Sequence, residues 1–203
     1  DDSHMMKNME WGAVAYLSSS IYGRYTNSST CIDSGCEVWI NNNSSFTTGC
    51  AGSSVSASEA STCNAWNTAT GVNASTTGNI YGIYDMSGGA WESVMGNYND
   101  TIVKAEFSSM PAAKYYDKYT GTDSDSDFTK YHLGDATKET LKTKSTGRDA
   151  WYGDATVSVY SSAPWVMRGG GFNDSSGAGV FRFSNYNGTR LHLHSFRVVF
   201  GAL

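Results

Sequence analysis

Residues 165–200 read W-V-M-R-G-G (165–170), G-F-N-D-S-S-G-A-G-V-F-R-F-S-N-Y-N-G-T-R-L-H-L-H (171–194) and S-F-R-V-V-F (195–200). The flanks are apolar and glycine-bearing, the vocabulary of strands that enter a core. The middle mixes Asn, Asp, Ser, Tyr, Arg and His with no catalytic spacing, so it reads as a polar, aromatic-bearing surface carried by a rigid frame. Within it a period of two sends Arg182, Ser184 and Tyr186 outward and Phe181 and Phe183 inward. Asn173, Asp174 and Ser176 precede that strand, while Asn187, Arg190, His192 and His194 follow it, and strand pairing would bring them together. Tyr, Ser, Gly and Asn are the residues with which antibody loops combine rigid aromatic area and adaptable hydrogen bonding. Phe172, Arg182, Tyr186 and Arg190 are the expected energetic anchors.

Working outward, the 203 residues suffice for one domain with a real core, expected to span 1–203 with its ligand-binding segment at about 171–194. Only 16% of residues are charged and the net charge is −5, so no basic stripe exists to neutralise phosphates and a nucleic-acid partner is disfavoured. Apolar runs are a few residues long, so membrane association would need a segment beyond these residues. The chain starts at Asp1 without an initiator Met and reads as the soluble part of something longer; Ser3-His4-Met5 also resembles a cloning remnant. Twenty-two Gly against 2 Pro, with abundant Ser, Thr, Asn and Tyr, predict a loop-rich fold of short strands. Ser3 as N-cap predicts a helix over 4–17 that buries Met6, Met9, Ala13, Tyr16 and Leu17. Residues 37–40 read as a strand and 136–144 as a short helix.

The four cysteines, Cys31, Cys36, Cys50 and Cys63, have four, thirteen and twelve residues between them, which lacks the C-x2-C pairs of zinc sites. Disulfides are therefore expected, and with them an oxidising, extracytoplasmic location. Of the three pairings, Cys31–Cys36 with Cys50–Cys63 is favoured, because each bond staples one polar stretch. Asp123, Asp125 and Asp127 copy the first ligand positions of an EF-hand, but Phe128 stands where Gly is needed and Gly134 where Glu is needed, so a solvated loop is expected. No serine sits in G-x-S-x-G and no His–acid partner is identifiable, so the chain reads as a non-enzyme. His192 and His194 would share one side of a strand, yet a facial metal site needs a third ligand; they read as display residues.

G-I-Y-D-M-S-G-G-A-W-E (82–92), then R-G-G (168–170) and S-F-R-V-V (195–199), with the early Glu10-Trp11, resemble the formylglycine-generating-enzyme type of C-type lectin fold. The resemblance runs in order through most of the chain. It implies an α+β domain with short twisted antiparallel strands, few helices and many loops. Within that group, W-G-A-V-A-Y-L-S (11–18), D-M-S-G-G-A-W-E (85–92) and V-M-G-N-Y (94–98) look like the variable proteins of diversity-generating retroelements, in pilin-like or phage-associated versions. There a mutagenic reverse transcriptase rewrites template adenines, so that AAY codons become NNY, which cannot encode Met, Trp, Lys, Glu or Gln. Residues 171–195 contain none of these five types, although Trp165 and Met167 stand just upstream.

The resemblance thus implies a diversified receptor- or adhesin-type protein on a bacterial surface or phage particle, binding a protein or glycan ligand of another surface. Its variable residues would be Phe172, Asn173, Asp174, Ser176, Arg182, Ser184, Tyr186, Asn187, Arg190, His192 and His194. Departures from the group are Gly89 in place of Asn, and the lack of any cysteine after Cys63 where oxidising members carry a reactive pair. The alternatives are a formylglycine-generating-enzyme-like oxidoreductase with a degenerate site, or a structural pilin or tail subunit. Asp85 and Glu92 bracket the carbonyls of Gly88 and Ala90, oxygen donors suited to calcium, and the matching positions of formylglycine-generating enzymes hold a structural calcium. The other reading of Asp85 and Glu92 is as caps of local turns. No further cofactor is implied. Trp91 and Phe196 are expected in the core, and Arg168 and Arg197 on loop carbonyls.

Overall fold

The computed structural model describes residues 2–24, 35–52, 55, 59 and 62–201. Among them the chain forms β1 (Asp2–Met5), α1 (Asn8–Ser18), β2 (Trp91–Tyr98), β3 (Asp117–Tyr119), β4 (Trp165–Gly169), β5 (Gly179–Tyr186), β6 (His194–Phe196) and β7 (Val198–Gly201). One helix against mostly antiparallel strands, separated by long irregular stretches, makes this an α+β fold.

The sheet is built around β2. Along one edge β4 runs antiparallel to it, Glu92 opposite Arg168 and Ser93 opposite Met167. β5 continues antiparallel to β4, with Met167 opposite Ser184 and Trp165 opposite Tyr186. The other edge of β2 is divided among three segments. β6 lies parallel over Trp91, Glu92 and Ser93, the Met95 N–H donates to the Met6 carbonyl at 2.9 Å, and β3 lies parallel over Gly96, Asn97 and Tyr98. This crowding explains Gly96, where an added Cβ would stand 2.9 Å from the Val166 side chain and 3.1 Å from the Tyr119 ring. β1 and β7 form a separate antiparallel ribbon that joins the two ends of the described chain.

The pleat sorts the side chains. One face of the sheet carries Val94, Val166, Phe181 and Phe183, all buried against Trp11 and Ala15 of α1 and against Tyr119 and Tyr131. Trp11 donates its indole N–H to the Val180 carbonyl at 2.8 Å, locking helix to sheet. Arg168 is buried on this same face. Its guanidinium donates to the Arg182 and Asp135 carbonyls at 3.3 Å each and lies 5.8 Å from the Trp11 ring and 5.7 Å from that of Phe183. A buried charge held by carbonyls and ring faces is a structural arginine.

Several expectations are corrected. The helix starts at Asn8, not at residue 4, because Ser3–Met5 pairs with β7 instead; the Glu10 carboxylate then accepts the Lys7 N–H at 2.8 Å and caps the first turn. Its buried stripe is Asn8, Trp11, Gly12, Ala15 and Ser18, whereas Met9 and Leu17 are exposed. Gly12 is fixed by contact, since a Cβ there would come 2.5 Å from the Asp135 backbone. Residues 37–40 run buried without a ladder; the Trp39 N–H goes to the Asn73 carbonyl and the Asn41 N–H to that of Ser87. Residues 136–144 form no helix. The Asp135 carboxylate accepts the Thr137 N–H at 2.9 Å and Ala136 takes φ +58°, a local turn that displaces the helical alternative.

Asp127 accepts the Thr122 and Thr129 N–H groups and caps the local turn, while Asp123 accepts the N–H of the distant Ser161. Cys50 and Cys63 form a disulfide with Cα atoms 5.0 Å apart. Cys31 lies outside the described residues, and the Cys31–Cys36 expectation with it. No helix among the described residues is long and apolar enough to cross a membrane.

Candidate ligand-binding face

The opposite face of the sheet gathers the candidate surface. Alternation within each strand and the register between strands place Arg182, Ser184 and Tyr186 of β5, Trp165 and Met167 of β4, Trp91, Ser93 and Met95 of β2, and His194 and Phe196 of β6 on it. The 99–107 segment roofs part of this face. Trp165 donates its indole N–H to the Ile102 carbonyl at 3.0 Å, and Phe107 meets the Trp165 ring at 5.6 Å between centroids.

Under that roof is a cavity of about 380 Å³ lined by Met5, Ser93, Met95, Phe107, Trp165, Tyr186, Arg190, His194 and Phe196, among others. Tyr186 and His194, both in its lining, meet edge to face at 4.4 Å between centroids. The Tyr186 hydroxyl is buried and has no hydrogen-bond partner among the described residues. Burial lowers the His194 pKa below its ordinary value, so its imidazole is neutral at pH 7. At the mouth the exposed Arg190 and Glu106 stand 3.7 Å apart and offset each other's charge.

The predicted surface residues divide into groups. Tyr186, Arg190 and His194 line this cavity. A second group surrounds Trp91: the Arg182 guanidinium lies 4.3 Å from that ring, donates to the Gly177 carbonyl at 2.8 Å and stands 3.5 Å from Asp174. The Asp174 carboxylate in turn accepts the Gly171 N–H at 2.7 Å. Phe172 packs on Phe46 at 5.5 Å and donates its N–H to the Gly89 carbonyl. Ser176 accepts from Arg148 at 2.6 Å, and Asn187 caps the Thr189 N–H at 3.0 Å. Asn173 and His192 are exposed, and Ser184 is half-buried between the two groups.

Two core assignments are corrected here. Phe196 is 63% exposed, and Trp91 is half-buried on the outer face. Both are one residue out of phase with the inward set, in which Glu92 and Val94 are the members from β2. Sequence reasoning passed over Ser93, Met95, Phe107 and Trp165 as site residues. The period of two in W-E-S-V-M (91–95) is the signal that could have found Ser93 and Met95.

Asp85, Ala90 and Glu92 line another cavity, of about 440 Å³, together with Asn41, Phe46 and Arg197. Glu92 is buried in an ion pair with the Arg197 guanidinium, so Arg197 holds a carboxylate where a loop carbonyl was expected. Burial pushes the Glu92 carboxyl up to about 7, against the pull of Arg197 and with a small push from Asp85. Asp85 accepts the Asn41 side-chain N–H at 3.1 Å and the Gly49 N–H at 2.9 Å. A calcium ion bound between these carboxylates would face the guanidinium that already neutralises Glu92. The residues present therefore do not fit calcium. Among the described residues no cluster of three or more His, Cys, Asp or Glu is disposed to hold a metal.

No family model matches the chain, and no curated protein does. Among solved structures it is similar to Treponema denticola variable protein 1, with 15% identity and a TM-score of 0.35 over 97% of this chain. The chain spans 46% of the length of that protein.

Proposed function

We propose that this chain is a diversified ligand-binding protein with a C-type lectin fold of the formylglycine-generating-enzyme type, the target of a diversity-generating retroelement. It works by recognition and not by catalysis, exposed on a bacterial surface or a phage particle, and it engages a ligand on another surface. One observation carries the reading. Along β5 the side chains alternate between Phe181 and Phe183, fully buried in the core, and Arg182, Ser184 and Tyr186 on the outer face. The buried phenylalanines therefore carry the packing, and the outward positions can change without opening the core, as a surface built to vary requires. The restricted alphabet of residues 171–195 supports the same reading, and the Cys50–Cys63 disulfide suits an extracytoplasmic location.

The decisive observation is genomic. A near-copy of the codons for about residues 170–200 is expected beside a reverse transcriptase gene, differing only at template adenines. A complete native genome without that repeat overturns the proposal.

A further inference from the structure

The cavity over the outer face has two kinds of wall. Met5, Ser93, Met95, Phe107 and Trp165 come from outside residues 171–195, whereas Tyr186, Thr189, Arg190 and His194 come from within them. On the reading proposed above, the first set stays constant while the second changes from variant to variant. With Val94, Ala105 and Phe196, the constant set is apolar apart from the Ser93 hydroxyl and Glu106 at the mouth, so the class of group that the cavity accepts is built into the frame.

Three properties define that class. The interior is uncharged: among the described residues that line it, the one ion pair is Arg190 with Glu106 at the mouth, and His194 is neutral. A phosphate, carboxylate or ammonium would lose its hydration there without a counter-charge. The lining offers few polar atoms, whereas a sugar ring needs several to replace the water on its hydroxyls. At about 380 Å³ the volume is near the lower end of ligand sites, which run roughly 300–1,000 Å³; this suits a single side chain better than an oligosaccharide.

We propose that the cavity receives one neutral aromatic side chain of a protein ligand, its ring against Trp165, Phe107 and Met95, and its polar edge or adjacent backbone at the Tyr186 hydroxyl. Trp165 and Phe107, already edge to face at 5.6 Å, offer an incoming ring the same geometry. The buried Tyr186 hydroxyl gains the hydrogen bond that the described residues do not supply. The diversified residues then select which aromatic residue enters and in what surroundings.

The test labels the methionine methyl groups of the whole chain with 13C, because Met5 and Met95 line the cavity while Met9 and Met86 do not. The probes are N-acetyltryptophanamide, N-acetyltyrosinamide, N-acetylleucinamide and the methyl glycosides of mannose and N-acetylglucosamine. The aromatic amides should produce saturable ring-current shifts at Met5 and Met95 alone, with Kd on the order of 1 mM, as expected for one isolated side chain. Tyr186→Phe should weaken binding roughly three- to tenfold through loss of one hydrogen bond. Thr189→Trp, a change on the surface loop, should close the mouth and abolish the shifts, and Tyr81→Ala, at an exposed residue that does not line the cavity, should leave them unchanged. Shifts produced by the glycosides, no shift with aromatic amides at about 20 mM, or methyl shifts that instead follow protein concentration, the mark of a second copy, each overturn the proposal. The template-repeat search is indifferent to these results, so the cavity and the diversification reading fail separately.

Discussion

Trp11 and Phe196 are both aromatic and both adjoin β2 or its neighbours, yet their truncation should cost very different amounts. Trp11 is fully buried and its indole N–H satisfies the Val180 carbonyl, so Trp11→Ala leaves a cavity and an unpaired acceptor and should cost about 3–5 kcal/mol. Phe196→Ala removes a ring already 63% in solvent and should cost no more than about 1 kcal/mol. Urea midpoints of the two variants check this; equal losses would mean that Phe196 is core after all. A second prediction rests on Glu37 and Asp154, carboxyl groups buried in the interior. Burial pushes both pKa values up, and the Asp154 charge adds to the effect on Glu37. Arg24 opposes the shift at Glu37; at Asp154 the Phe181 N–H, then Arg182 and Arg168, oppose it. The unfolded chain releases these protons near pH 4 while the folded chain keeps them. Their contribution is therefore complete below about pH 4 and is lost as pH rises through neutrality. The urea midpoint should be higher at about pH 5 than at about pH 8. Asp154→Asn, which retains an acceptor for Phe181, should flatten that slope.

At the scale of elements, the loop before β5 and the strand itself are not uniformly free to vary. Among the described residues, Asn173, Ser184, Arg190 and His192 make no hydrogen bond to the frame through their side chains, and a fourfold replacement by other NNY-encodable residues should change stability by less than about 1 kcal/mol. Arg182 and Asp174 differ, because one stacks on Trp91 and holds the Gly177 carbonyl while the other holds the Gly171 N–H. Arg182→Ala or Asp174→Ala should each cost about 1–2 kcal/mol, measurable in the same melts. The polar positions of the segment therefore fall into two classes. The inward and outward sets of β5 were legible in the sequence because Phe and polar residues alternate there without interruption. β2 was harder to read: Trp91 and Met95 are as apolar as Val94, so hydrophobicity alone does not say which set faces the core. The stripe of α1 was misphased for a similar reason, since Met9 and Leu17 compete with Trp11 and Gly12 for the core, and only the Asp135 backbone decides. A turn seeded by Asp135 likewise left no helix at 136–144.

For the molecule as a whole, the Glu92–Arg197 pair ties the middle of the chain to its C-terminal part with an internal cation. Millimolar calcium and a chelator should therefore leave the melting temperature alike; a rise with calcium would show that Arg197 yields the site, since any ion that binds only the folded chain must stabilise it. The way β2 is clamped has a further consequence, for time and not for space. Its partners are β3, β4, β6 and the Met6 segment, and both long edges stay incomplete until residues 165–169 and 194–196 have been made. During synthesis, at roughly 5–20 residues per second, β2 leaves the ribosome with only the Met6 segment already made, and waits several seconds for β4. Pairings so distant in sequence also close slowly. The stretch read as diversified thus supplies strands of this sheet that are translated after β2 and that complete it, so every new version of it meets the folding reaction before it meets any ligand.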